Sequence, residues 1–338
     1  MNQWLKEATH PAWYMEEDEP RVVFGGNGTF YAAWLYPEYD LEDSDVDVLG
    51  ASFSMATQSW STPLFLTSNG TLVDPLRKIM RIASNADREY IVIYSIGDNF
   101  SLARSTDGGV SWTTRLAFSY EPGGPAVYPD EWFDMTYGGD RYVIAFTAFR
   151  ENGWEREVLL IHSTNGGLSW SNWTRAGGST IPLGNGKNSF PVVGYNGSHF
   201  ALSWECYDFV WPNTLHLANS TLAVAAFSKD GVGWTEPVRL NPPQVVNDPN
   251  LYINEWDPQL FGNRGEWFAV YRIATLDFVV MTKSTDGGVT WGNYSKLDPR
   301  MNPRSDLVNG NDLPRGVMDG NLYYRSFSEL IAEIFLRF

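Results

Sequence analysis

The chain has 338 residues, 43% of them hydrophobic, and a formal net charge of −16 with 40 acidic against 24 basic side chains. An acidic surface of that size opposes binding to nucleic acid, and an anionic ligand would need a local cationic pocket. No run of about 18 apolar residues is present for a membrane span, Met1 to His10 lack the basic and apolar regions of a targeting signal, and the single cysteine, Cys206, excludes an intrachain disulfide.

In chain order the sequence predicts strands throughout. Trp4 to Tyr14 reads as a strand, followed by a first group of strands from Arg21 to about Leu66 that includes Phe30 to Trp34. The acidic run Glu38 to Asp47 reads as a solvated loop between strands. Further groups are expected over Met80 to Phe118, Trp132 to Ala176, Phe190 to Leu240 and Trp256 to Leu297. Leu313 to Phe338 adds two or three strands. No convincing helical periodicity interrupts the series, while 31 Gly and 19 Pro suit its many turns.

Within these groups one phrase recurs: STDGGVSW at Ser105 to Trp112, STNGGLSW at Ser163 to Trp170, STDGGVTW at Ser284 to Trp291, and a shorter SKDGVGW at Ser228 to Trp234. A degenerate copy, SMATQSW, spans Ser54 to Trp60 with Ala56 in place of the acid. The closing tryptophans are spaced 52, 58, 64 and 57 residues apart, which is one four-stranded sheet per repeat. Asp107, Asp230 and Asp286 can each accept hydrogen bonds from the amides of their own turn, and the glycines supply positive φ. These aspartates therefore read as turn residues, and each phrase as a hairpin whose Trp packs the turn onto its sheet. The β-rich runs expected ahead of the four better copies are Ile91 to Tyr94, Val158 to Ile161, Leu222 to Ala226 and Phe278 to Met281.

The phrase resembles the Asp-box (BNR) repeat, and the chain as a whole resembles the sialidase-like propellers. That resemblance implies an all-β, six-bladed β-propeller of four-stranded antiparallel blades, forming one domain over residues 1–338. Its ring would be closed by the N-terminal strand, which leaves no long exposed edge. The order Pro20, Arg21, Val22, Val23, then Asn27-Gly28-Thr29, a strand and an acidic stretch is similar to the opening of a sialidase. It departs from the family at Val23, where a Pro is usual, and lacks a Glu-Gly-Arg after Trp34.

By the same resemblance Arg21 would be the first arginine holding a substrate carboxylate, joined by Arg272 and by Arg315 or Arg325. Asp43 or Asp45 would serve as acid/base, and Glu255 as the base for a nucleophilic Tyr323 or Tyr324. A tyrosine needs such a base, because its ordinary pKa near 10 leaves it a weak nucleophile at neutral pH. The stretch Glu131-Trp132-Phe133-Asp134, with Arg150 beyond it, repeats the pattern of Glu255-Trp256-Asp257 and Arg272, so this layout also fits a plain feature of blade construction.

Three functions follow as expectations. The first is an exo-sialidase acting on a terminal acidic sugar. The second is a non-catalytic glycan-binding propeller with Trp132, Trp256, Trp204 and Trp211 as stacking platforms. The third is a scaffold for protein partners. Asp43-X-Asp45-X-Asp47 resembles the start of a calcium loop without its later Gly and Glu, and the four histidines have no metal spacing, so no metal or other cofactor is expected. Seven Asn-X-Ser/Thr sequons, at Asn27, Asn69, Asn99, Asn172, Asn196, Asn219 and Asn293, read as turn dipeptides.

Overall fold

The computed structural model describes residues 18–40, 43–67, 80–96, 99–119, 128–149, 156–176, 187–207, 221–240, 254–263, 265–273, 278–296, 315–318 and 322–325. Among them no helix occurs, and every element is a strand. No helix long and apolar enough to cross a membrane is present among the described residues.

The first sheet holds β1 (Asp18–Gly26), β2 (Thr29–Asp40), β3 (Asp43–Ser54), β4 (Ser59–Trp60) and β5 (Leu64–Phe65). The second holds β6 (Met80–Ser84), β7 (Tyr90–Ile96), β8 (Asn99–Ser105) and β9 (Thr113–Ser119). The third holds β10 (Tyr128–Gly138), β11 (Arg141–Phe149), β12 (Arg156–Ser163) and β13 (Thr174–Arg175). The fourth holds β14 (Lys187–Tyr195), β15 (Phe200–Tyr207), β16 (Thr221–Ser228) and β17 (Val238–Arg239). The fifth holds β18 (Glu255–Asn263), β19 (Glu266–Ile273), β20 (Phe278–Ser284) and β21 (Ser295–Lys296). A hairpin of β22 (Arg315–Met318) and β23 (Leu322–Arg325) follows.

Strands within each sheet follow chain order, as short antiparallel connections require. The third and fourth sheets are joined by one parallel pair, Arg156 with Lys187. The fourth and fifth meet in a similar way at Thr221 and Asn254.

The five predicted strand groups therefore match five sheets closely, with two corrections. Glu38 to Asp40 and Asp43 to Asp47 are strand and not loop: β2 and β3 pair continuously from Thr29 with Ser54 out to Asp40 with Asp43. Asp47 is buried on β3 and accepts a hydrogen bond from the Thr67 hydroxyl. The strand leading into the second sheet's turn is β8, whereas Ile91 to Tyr94 lies one strand earlier, in β7. The expected sixth blade is described only as the β22–β23 hairpin, and Trp4 to Tyr14 lies outside the described residues.

Contacts divide the chain into two compact units. One comprises residues 1–124, 135–142 and 162–172, the other residues 125–134, 143–161 and 173–338. In the first unit the core between the first two sheets is built from Tyr31, Leu35, Val48, Met80, Val92 and Tyr94 with their neighbours. In the second, Val158, Leu160, Phe200, Leu202, Trp204 and Val224 fill one core, while Phe227, Leu260, Trp267, Tyr271 and Trp291 fill the next. Alternating inward residues on facing sheets produce these layers.

The recurring turns bond as their residue types dictate. In the second sheet the Ser105 hydroxyl donates to Asp107 Oδ1 at 2.8 Å and accepts the Gly109 amide at 2.8 Å, and Asp107 Oδ1 also accepts the amides of Val110 and Ser111 at 3.0 Å each. Hydrogen bonds from Ser111, hydroxyl and amide, hold the Asp107 carboxyl down at about 2. Ser284, Asp286, Gly288 and Thr290 repeat the pattern. Asn165 substitutes for the acid by accepting from the Ser169 amide and donating to its hydroxyl.

The closing tryptophan reaches further than its own sheet. Trp112 lies 5.1 Å from Tyr31 of the first sheet, and Trp291 lies 6.2 Å from Phe227 of the fourth, centroid to centroid. In the second and fifth sheets the second glycine of the turn is required by the same approach. A Cβ on Gly109 would sit 2.3 Å from the Tyr31 ring, and one on Gly288 would sit 2.1 Å from the Phe227 ring, both at positive φ. In these two sheets the turn thus staples its sheet to the preceding one.

Candidate functional site

The second unit contains an irregularity that occurs twice. The first strand of the fourth sheet, β14, carries a bulge between Ser189 and Val192, and the first strand of the fifth, β18, carries one between Trp256 and Gln259. Within each bulge a non-glycine residue adopts positive φ immediately before a proline: Phe190 at 55° before Pro191, Asp257 at 54° before Pro258. Bulges of this kind break the alternation of a strand and redirect a side chain. Backbone held in this region costs energy and concentrates at functional sites.

Around the second bulge the chemistry is polar and aromatic together. Glu205 on β15 is more than nine-tenths buried, and its Oε1 accepts the backbone amide of Asp257 at 2.8 Å. No other hydrogen bond to the Glu205 side chain occurs among the described residues. Burial pushes the Glu205 carboxyl up to about 8, an effect to which the neighbouring Asp257 charge adds. Burial also raises Asp257, to about 6, against the opposing pull of Arg272. Arg272 is the cross-strand partner of Trp256, and its guanidinium lies 5.6 Å from the centre of the indole, which is 37% exposed.

The first bulge supplies an aromatic pair. Phe190 packs against Trp132 of β10 with ring centroids 4.1 Å apart, and both are half-buried. Ser189, beside Phe190, is the cross-strand partner of Glu205. The Trp132–Phe190 pair thus lies where the third sheet meets the fourth, while Trp256, Arg272, Asp257 and Glu205 form a ledge of one aromatic face, a cation and two carboxyls where the fifth meets the fourth.

Several residues expected at a site have other places. Glu255 is fully buried, ion-paired with Arg239 at 2.8 Å, and accepts the Ala223 amide at 3.0 Å, so it ties the fifth sheet to the fourth. The tyrosine whose ionisation the Glu255 charge opposes is the buried Tyr271, itself raised chiefly by desolvation. Trp204 is no platform: it is fully buried and donates its indole N–H to Asn188 at 3.1 Å. Trp211 lies outside the described residues.

Arg21, half-buried on β1, and the β3 positions Asp43 and Asp45 belong to the first unit, whereas Glu255, Arg272, Arg315, Tyr323, Tyr324 and Arg325 belong to the second. β22, which begins at Arg315, lies beside β18, which begins at Glu255. Arg315 and Arg325 pair across the hairpin, as do Gly316 with Tyr324 and Val317 with Tyr323. The side chains of Asp43, Asp45, Arg315, Tyr323, Tyr324 and Arg325 lie outside the described residues.

Glu205, Asp257 and Phe190 were missed as site residues. A signal was present in the two X-Pro steps, Phe190-Pro191 and Asp257-Pro258, at matching positions of first strands, since proline inside a sheet is confined to edges and bulges.

No family profile and no curated protein sequence matches the chain. Solved structures do. The chain is similar to an α-L-arabinanase from Penicillium chrysogenum, solved with arabinobiose, at 14% identity and a TM-score of 0.57, covering 83% of this chain and 80% of that one. It is also similar to a Hadza microbial sialidase, at 15% identity and a TM-score of 0.49 over 82% of this chain and 58% of that one. A sucrose-6-phosphate hydrolase from Lactobacillus gasseri matches at 12% identity and 0.44 over 91% and 60%. The structural neighbours are glycoside hydrolases of the propeller fold. At such identities the arabinanase match speaks for the fold, and the other two superpose too loosely to speak for more. The chain is thus all-β, made of four-stranded antiparallel sheets in keeping with that fold.

Proposed function

We propose that this chain recognises glycans, and that the ledge on the fourth and fifth sheets is where a sugar unit sits. The observation that carries this is the ledge's composition: the exposed Trp256 indole and the Arg272 guanidinium beside it, next to a nearly buried Glu205 that accepts the Asp257 amide. Sugars present apolar C–H faces and a fringe of hydroxyls, so a pocket that stacks one and hydrogen-bonds the other suits them. The fold likeness to an arabinanase supports the same reading.

The test is binding of the purified protein to an immobilised glycan panel beside a Trp256→Ala variant. Retention of at least one glycan class, weakened about tenfold or more in the variant while circular dichroism stays unchanged, supports the ledge. Folded wild-type protein that retains no glycan removes the reading.

A finer reading is hydrolysis of a terminal sialoside, favoured by the position of Arg272 within the ledge. Arg21, Arg272 and Arg315 or Arg325 would clamp the substrate carboxylate by charge-assisted contacts. Asp43 or Asp45 would act as acid/base, and Tyr323 or Tyr324 as the nucleophile. Cleavage of a fluorogenic sialoside, abolished in Arg21→Ala, is the expected outcome; its absence in folded wild-type protein leaves recognition without this chemistry.

A further inference from the structure

The Asn-X-Ser/Thr sequons are used in different ways. At Asn196 the turn reading holds: the residue is buried, and its Oδ1 accepts the amides of Ser198 at 3.0 Å and His199 at 2.9 Å and the Ser198 hydroxyl at 3.0 Å. The Asn oxygen and the Ser hydroxyl are thus both engaged within the turn. Asn27 is a turn residue as well, at a φ of 50°, and the Thr29 hydroxyl donates to the Gly26 carbonyl at 2.7 Å. Asn99 is held in the ladder of β8, opposite Ile96 on one side and Ser119 on the other. Asn69 and Asn219 lie outside the described residues.

Asn172 and Asn293 differ from these and match each other. Each stands two residues beyond the closing tryptophan of a recurring hairpin, in Trp170-Ser171-Asn172-Trp173-Thr174 and in Trp291-Gly292-Asn293-Tyr294-Ser295. Neither lies in a turn or has a positive φ, and both are exposed, as are Thr174 and Ser295. The amides just ahead of them, of Ser171 and Gly292, donate to the carbonyls of His162 and Lys283, at 2.9 Å in both cases. Just after them, Thr174 opens β13 against Leu160, and Ser295 opens β21 against Met281. The sequon is therefore drawn out between two anchored points. No hydrogen bond to the Asn172 side chain occurs among the described residues. At the same position the second and fourth sheets carry Thr114 and Glu236.

An N-glycan is bulky and stays on the surface, so it needs an accessible asparagine amide with an accessible hydroxyl two residues on. It also suits these elements. β13 and β21 are two-residue strands that pair with β12 and β20, and the free side of such an edge strand presents backbone groups that proteins cover or guard.

We propose that Asn172 and Asn293 are acceptor sites for N-linked glycans, at equivalent positions of the third and fifth sheets. The donor is an oligosaccharide joined through a diphosphate to a lipid. The asparagine Nδ2 forms a bond to the anomeric carbon as the bond from that carbon to the phosphate oxygen breaks. One amide proton is released and the lipid diphosphate leaves, with no change of oxidation state. This inference is independent of the ledge, since neither sequon includes Glu205, Trp256, Asp257 or Arg272.

The test is expression of the full chain behind a secretion signal in insect cells, followed by enzymatic removal of N-glycans in heavy-oxygen water and peptide mass mapping. Removal converts each glycosylated Asn to a labelled Asp, so occupancy is read site by site, and circular dichroism checks the fold. The expected result is label at Asn172 and Asn293 in most molecules and none at Asn196. Thr174→Ala and Ser295→Ala keep the asparagines in place; each should remove the label from its own sequon alone and leave the melting temperature unchanged. Secreted, folded protein that is unlabelled at either site, or labelled at Asn196 as fully as at these two, overturns the inference.

Discussion

At Asp107 a single carboxylate organises a whole turn, gathering two amides and two hydroxyls. Asp107→Ala should destabilise the protein by about 1–2 kcal/mol, because the turn amides and hydroxyls lose their shared acceptor. Asp107→Asn should cost less than about 0.5 kcal/mol, since Asn165 performs the same task in the third sheet. Urea unfolding of the two variants separates them; equal losses would show that charge, and not acceptor geometry, holds the turn.

Glu205 sets a different dependence. Its folded pKa of about 8 stands above the ordinary 4.5, and Asp257 at about 6 stands above 3.8. Raised carboxyls contribute stability that is fully present below their unfolded values and lost as pH rises through their folded ones. The melting temperature should therefore fall between pH 4.5 and pH 8, and Glu205→Gln should flatten that fall. Asp107 and Asp286, both held at about 2, act oppositely: their contribution is present above about 3.8 and disappears toward pH 2. A scanning calorimetry series from pH 3 to pH 9 checks both signs, and a slope unchanged in Glu205→Gln would contradict the first.

Among the elements, the recurring hairpin joins sheets as well as closing a turn. Gly288→Ala places a methyl against the Phe227 ring at a φ that alanine resists, and should cost about 2 kcal/mol or more. In a double-mutant cycle, Phe227→Ala should recover part of the steric loss but not the φ strain. Full additivity would mean that the ring is not what the methyl meets.

The same scale shows what the sequence could disclose. The Ser-X-Asp-X-Gly-X-X-Trp spacing marks the hairpin between the last two strands of a sheet, and from it the five strand groups follow. Glu38 to Asp47 misleads because acidic composition suggests a solvated loop, while the cross-strand partners that make it a hairpin arm are long-range. The bulges hide the ledge. A residue inserted at Asp257 shifts the strand's alternation, so no two-residue period can foretell that Glu255 turns into the sheet interface while Asp257 joins Glu205. Trp204 misleads as well, since nothing local in its sequence distinguishes an indole bonded to a buried Asn188 from one offered to a ligand.

For the molecule as a whole, aromatic residues recurring at sheet spacing made the all-β class legible, whereas a site assembled from two sheets required coordinates. The second unit's sheets are bonded strongly within themselves and sparsely to one another. Arg156 with Lys187 and Thr221 with Asn254 are the parallel pairs that cross its seams among the described residues. What otherwise holds a seam is a few bonds made by side chains, such as Glu255 with Arg239 and the Ala223 amide, and apolar contact, such as Leu160 with Phe200 and Trp204 in one layer and Phe227 with Trp267 in the next. Apolar contact loses strength on cooling, unlike the ladders inside each sheet.

The sparse crossing has a kinetic corollary. If sheets separate as units, an amide engaged only across a seam becomes exposed to deuterium whenever the seam parts, while amides of β15 and β16 wait for the sheet itself to dissolve. Hydrogen exchange should accordingly sort these amides into two time classes, and chilling should shorten the first without touching the second.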